Sequence, residues 1–330
     1  MAHAGLSRQR GTGFLAVPSL LIAAAFFLPI AVPSIFGWMN ILLAVPVFFL
    51  LQAEENYEKG VRQLRNGILL AAAGAFLIGQ IPVLVFSLTM VPLGYSLFLS
   101  ARRREDPATA GAKGVAVLGL SWFVFWSIYG ITTGVHPYAS LLAMLDNTFD
   151  QIIAIYRQSP DLPTEAAYEL EQIIGSAREN IPKILPGLLA GSLILTVWLN
   201  QVIGSNLLIR LRPENAPWPK YASWQLPDKL VWLVIAAVGL ALIGRETVRN
   251  TGYCLAIIAA VLYFFQGTAI VVHLLDRWKV PQYVRFILYL IMVVQSYGLL
   301  VLSVVGLADI WLNFRKLGQD GNYTNDTKDT

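Results

Sequence analysis

Charge is scarce in this chain and cysteine is almost absent. Asp, Glu, Lys and Arg make up 13% of the 330 residues, about half the share found in a soluble globular domain. With 56% hydrophobic residues and a mean hydropathy of +0.60, that shortage argues against a cytosolic enzyme and against a disordered chain. The single cysteine, Cys254, can form no intrachain disulfide, which excludes a secreted disulfide scaffold. It lies in an apolar run and reads as a small buried hydrophobe.

Catalytic signatures are missing as well. There is no phosphate-binding Gly-rich loop ending in Gly-Lys-Ser/Thr, no His-Glu-x-x-His and no Gly-x-Ser-x-Gly. The 3 histidines, His3, His136 and His273, are far apart and have no cysteine partners. A proton relay would need Asp or Glu in the middle of an apolar run, and none is there. The expectation is a non-enzyme without metal or cofactor.

What is present is a series of apolar runs. A membrane-crossing helix takes about 20 mostly apolar residues. By that measure spans fall near 14–32, 36–52, 66–80, 82–101, 114–135, 184–206, 230–246, 251–274 and 283–308. The stretch from Asn66 to Ser100 is too long for one crossing, and Gly79-Gln80-Ile81-Pro82 divides it as a hairpin. The expected fold is all-α, a polytopic transmembrane bundle of about eight or nine spans with an extracytoplasmic amphipathic helical insert.

By sequence the chain divides into N-terminal membrane helices (1–135), the insert (136–183), C-terminal membrane helices (184–316) and a polar, disordered tail (317–330). In the insert, Leu141, Leu142, Leu145, Phe149, Ile152, Ile153 and Tyr156 recur at helical spacing, and a second helix is expected from about Thr164 to Ile174. The two helices read either as lying on the membrane surface or as a lid.

The net charge of +4 is spread between apolar runs rather than gathered in one patch, which points to the lipid bilayer and not to nucleic acid. A cytoplasmic N-terminus puts 16 of the 24 Lys and Arg residues on the inner side. Arg315-Lys316 then falls outside, unless a break at Gly298 returns the tail to the cytoplasm.

Neutral hydrogen-bonding groups sit at membrane depth: Asn200, Gln201, Gln266, His273, Gln295 and Ser296. Such groups must find partners away from lipid. They read either as bonds between packed helices or as a pocket for a small polar solute. Gly187 and Gly191 provide a small-x-x-x-small step for close helix packing. Asp309 and Arg315 are six apart and so are not neighbours on a helix, which leaves Asp309 in need of another partner, an arginine on a different span being one candidate. Between spans, the prolines from Pro213 to Pro227 forbid a continuous helix, and Trp218, Trp224 and Trp232 suit the head-group layer.

Three strings carry a resemblance: Trp224-x-Leu226-Pro227-Asp228-x-x-Val231-Trp232, the Gln266-Gly267 step, and Gly306-Leu307-Ala308-Asp309-Ile310-Trp311-x-x-Phe314-Arg315. They resemble the YybS-like family of uncharacterised bacterial inner-membrane proteins, whose fold is distantly similar to the substrate-binding subunits of energy-coupling-factor transporters. The resemblance implies a bacterial inner-membrane location and Trp224, Pro227, Asp228, Trp232, Asp309 and Arg315 as motif residues. Those transporter subunits dock through small residues on their first span; this chain departs from that pattern, since Ala23, Ala24 and Ala25 are consecutive with no alanine every four residues after them. The functional expectation is a solute-binding, transporter-like subunit; the alternative is a non-catalytic scaffold that holds other membrane proteins.

Overall fold

A computed structural model describes residues 17–157, 164–294, 297–312 and 314–315, and every regular element among them is helical. The chain groups into two compact units. The first comprises Met1–Glu105 and Leu199–Trp218, the second Asp106–Trp198 and Pro219–Thr330.

The first unit begins with α1 (Val17–Ala31), α2 (Pro33–Phe36), a 3-10 helix (Gly37–Leu42) and α3 (Ala44–Ala53). The chain then continues through α4 (Tyr57–Leu77), α5 (Ile81–Leu88) and α6 (Met90–Arg102). Pro33 ends α1, because the residue before a proline is pushed out of the helical region, and Val32 leaves it there with φ −136° and ψ 70°. The axis then turns through 109° into Pro33–Leu42. Glycines set the helix contacts. At Gly67 an added Cβ would lie 2.6 Å from Ile22 of α1, and at Gly94 it would lie 2.7 Å from Val47 of α3. The expected hairpin is present: α4 ends at Leu77, Gly79 takes a φ of 69°, and α5 starts at Ile81.

The second unit holds α7 (Pro107–Thr133), α8 (Pro137–Arg157) and α9 (Thr164–Leu211) as far as Trp198, the rest of α9 belonging to the first unit. The 3-10 turn Pro213–Asn215 belongs to the first unit; the turns Tyr221–Ser223 and Asp228–Leu230 follow in the second, then α10 (Val231–Ile243), α11 (Glu246–Arg277), α12 (Gln282–Val294) and α13 (Tyr297–Leu312). Asp106 caps α7 by accepting from the Thr109 N–H at 2.9 Å, with Pro107 in the first turn. Arg178 of α9 holds Asp146 and Asp150 of α8 at 3.0 and 2.5 Å, and Arg157 reaches Glu171 at 2.8 Å. The apolar stripe of α8 is half-buried, except that Tyr156 is exposed.

Four described helical segments are long and apolar enough to cross a membrane: Ile81–Arg102, Pro107–Thr133, Tyr168–Leu211 and Glu246–Arg277. The bent pair at Val17–Leu42 brings the number to five if it counts as one span. The expected run 66–80 lies in the single helix α4 as far as Leu77, and shorter apolar helices include Ala44–Ala53 and Tyr297–Leu312. One expectation is corrected. The separate helix at Thr164–Ile174 and the span at 184–206 are one helix of 48 residues. Pro182 and Pro186 each remove one N–H, which leaves two carbonyls without their helical partners but does not end the helix. Within the expected run 283–308 the described helices are α12 and α13; residues 295–296 between them, like the tail from 316, lie outside the described residues.

Candidate functional site

Asn200 is fully buried on α9 within the first unit. Its Nδ2 donates to the Ile41 carbonyl at 2.6 Å, and its Oδ1 accepts from the Val45 N–H at 3.0 Å. Those main-chain groups flank the junction of the 3-10 helix with α3, where helix ends leave donors and acceptors unmatched. Asn200 therefore fastens a helix break to α9. Gln201 beside it is 3% exposed. A cleft of about 260 Å³ in this unit is lined by Ala25, Trp38, Met39, Leu43, Pro46 and Ile203 among others, and carries no charged group.

In the second unit Gln266 lies on α11 and joins two elements. Its Nε2 donates to Asp309 Oδ2 on α13 at 3.0 Å, and its Oε1 accepts from the Leu226 N–H at 2.9 Å. Arg315 donates through Nη2 to Asp309 Oδ2 at 3.0 Å. Through Nη1 it donates to the carbonyls of Ala222 and Trp224 at 3.1 and 2.7 Å. The Phe314 N–H donates to Asp309 Oδ1 at 2.8 Å. Solvent reaches 0% of the Arg315 side chain and 2% of that of Asp309. A buried ion pair offsets its desolvation only when further hydrogen bonds fill the remaining sites, and these bonds do so for both carboxylate oxygens.

The partner that Asp309 required is Arg315 of its own segment, not an arginine on another span, together with Gln266 of α11. The six-residue spacing excludes contact only while the helix continues. Here α13 stops at Leu312 and the chain turns back, so Arg315 approaches Asp309 from beyond the helix end. Arg315 also bonds the Ala222–Trp224 turn, so it lies at the same end of its unit as that turn. That placement agrees with the alternative in which the tail returns to the side of the turn.

Aromatic packing seats the turn. The Tyr221 hydroxyl donates to the Phe265 carbonyl, and burial pushes the phenol well above its ordinary pKa, so it remains a donor. Trp198 stacks on Phe265 at 4.4 Å and meets Tyr221 edge-on at 5.7 Å. Next to Gln266, α11 and α13 cross at Gly267 and Gly306. A Cβ on either would collide with main-chain atoms of Leu302 or Tyr263, and Ser303 donates to the Ala260 carbonyl at 2.7 Å.

Of the residues singled out in the sequence, Gln266, Asp309, Arg315 and the Trp224 carbonyl thus come together. Pro227, Asp228 and Trp232 are exposed beside the start of α10, and His273 is half-buried two turns beyond Gln266. Trp218 is buried in the first unit against Phe48, with its Nε1 donating to the Glu105 carbonyl at 2.8 Å, and so is not free for head groups. Gln295 and Ser296 lie outside the described residues. Gly187 meets the Cys254 backbone, with an added Cβ 2.6 Å from its Cα, so the glycine step serves packing. Tyr221 and Trp198 were not anticipated; a buried tyrosine in a proline-rich turn has no spacing signature.

No curated protein and no solved structure matches the chain. Residues 17–310 match the family described as "Predicted membrane protein (DUF2232)", and the chain, with its long apolar helices, belongs to that family of membrane proteins.

Proposed function

We propose that this protein is a non-catalytic scaffold of the bacterial inner membrane, which holds partner proteins at the bilayer. One observation carries the reading. The carboxamides of Asn200 and Gln266, candidates for a polar solute pocket, are engaged at both their oxygen and their nitrogen by protein groups. A solute would have to displace those bonds and leave buried main-chain atoms unpaired. The apolar 260 Å³ cleft is also below the roughly 300 Å³ usual for a small-molecule site. In this reading the short apolar helices complete a bundle of eight or nine crossings with a cytoplasmic N-terminus, and α8 with the start of α9 forms the outer insert.

The second reading is a solute-binding subunit similar to those of energy-coupling-factor transporters, in keeping with the YybS-like strings. It is favoured by the exposed apolar face of α1, where Val17, Leu20, Leu21 and Ala24 share one side and could meet a second membrane subunit. Native mass spectrometry of the protein, extracted from its own membrane in mild detergent, separates the two. Stoichiometric protein partners without a small molecule support the scaffold. A retained polar solute overturns it, and an ATPase among the partners moves the assignment to the transporter subunit.

A further inference from the structure

One end of the first unit gathers cations from three helices. Tyr57 at the start of α4 stacks on Phe98 near the end of α6 at 5.6 Å. Gln52 near the end of α3 donates to the Asn215 carbonyl just past α9 at 3.1 Å, and Asn215 returns a bond to the Ala53 carbonyl at 3.3 Å. Trp218 ties the same loop to Glu105 beyond α6. These contacts bring the start of α4 and the ends of α3, α6 and α9 to a common level.

Lys59 there is neutralised by Glu54 at 2.7 Å, and Arg212 faces Glu214 at 3.8 Å. Arg62, Arg65, Arg103, Arg104 and Arg210 are exposed, and among the described residues they make no ion pair. Glu55 and Glu58 are the exposed acids opposing them at the opening of α4, so a positive excess remains.

The backbone adds a second observation. Arg104 has a φ of 55°, in the left-handed region that favours glycine. It follows the end of α6, where the Arg104 N–H bonds the Ala101 carbonyl at 3.1 Å and the Glu105 N–H bonds the Ser100 carbonyl at 3.1 Å. This is a Schellman ending, whose left-handed position is usually glycine. Where α4 and α7 end, the left-handed residue is glycine, at Gly79 and Gly134, and past the end of α11 it is Lys279, with a φ of 53°. Arg104 is thus one of two basic residues, with Lys279, that carry backbone strain just past a helix end.

We infer that this end of the unit, through Arg62, Arg65, Arg103, Arg104 and Arg210, binds the phosphate head groups of anionic phospholipids. A membrane surface is favoured over RNA because the arginines stand where an apolar segment, Ile81–Arg102, runs out, at the level of Tyr57 and Tyr95. Aromatic and basic residues in that combination mark the head-group layer.

The test is native mass spectrometry of the full chain in detergent, titrated with phosphatidylglycerol, with phosphatidylcholine of the same acyl chains, and with a short single-stranded RNA. Phosphatidylglycerol is expected to bind at least tenfold more tightly than phosphatidylcholine, less so at high salt. The fivefold variant R62Q/R65Q/R103Q/R104Q/R210Q should lose that preference, while R157Q in α8 keeps it. Arg104→Gly relieves the backbone and so keeps the fold, yet should weaken phosphatidylglycerol binding about fivefold. Equal affinity for the two lipids in the unsubstituted protein overturns the inference. So does an unchanged preference in the fivefold variant, or RNA binding that exceeds lipid binding.

Discussion

The Arg315 guanidinium holds the Asp309 carboxylate at 3.0 Å from beyond the end of α13, with both side chains shut off from solvent. Removing one member strands the other charge in an apolar interior, which costs about 3–5 kcal/mol. Arg315→Met and Asp309→Leu should each lower the thermal unfolding midpoint in detergent strongly. The double variant should lie well above the sum of the two losses, because it leaves no bare charge. Additive losses would show that the two side chains do not act as a pair.

Gln266 separates a structural role from a ligand role. Gln266→Leu removes a donor to Asp309 and the acceptor for the Leu226 N–H, leaving buried groups unmatched at about 1–3 kcal/mol each. The expected outcome is a destabilised protein whose Ala222–Leu226 turn exchanges its amide hydrogens faster. Asn200→Leu should act likewise on Ile41–Val45, through the bonds to α9. Unchanged stability in both variants, with a lost solute, is the result that a binding pocket requires.

The close crossing of α11 and α13 depends on two missing side chains. Gly267→Leu and Gly306→Leu place atoms against main chain rather than against flexible side-chain ends, so the helices must separate. Loss of packing there exceeds the 1–3 kcal/mol usual for overpacking, and little folded protein should be recovered. Gly239→Ala in α10 meets nothing within 4 Å and removes backbone freedom from the unfolded chain. It should raise stability by about 0.5–1 kcal/mol, seen as a higher midpoint in the same thermal scan.

How far the sequence could be read depends on the range of each interaction. Apolar runs and the Gly79–Pro82 break are local, and the helices and the hairpin follow from them. Pro182 and Pro186 are local too, yet the helix passes through them, since each costs one hydrogen bond whereas a loop would expose several. Polar residues at membrane depth were evident at Asn200 and Gln266, but not their partners. Which carbonyl of a distant turn meets which carboxamide is decided by tertiary packing. The Asp309–Arg315 spacing misled because the helical rule was applied across a helix end.

Asp106 links the start of α7 to pH. Its carboxyl is held below its ordinary pKa by hydrogen bonds from the Thr109 side chain and N–H, the burial cost being smaller and opposite. A depressed native pKa means that the cap's charge contribution is fully present above the unfolded value, near 3.9, and is lost as pH falls through the native value. At pH 7 Asp106→Ala should cost about 1 kcal/mol through the lost cap. Asp106→Asn keeps an acceptor for the Thr109 N–H and should cost less. As the pH drops below 4, the gap between the parent protein and Asp106→Asn should close, while Asp106→Ala stays lower. Thermal midpoints of the three proteins at pH 7 and pH 3 measure this directly. A gap between parent and Asp106→Asn that is the same at both pH values would mean that the ionised carboxylate contributes nothing to the cap.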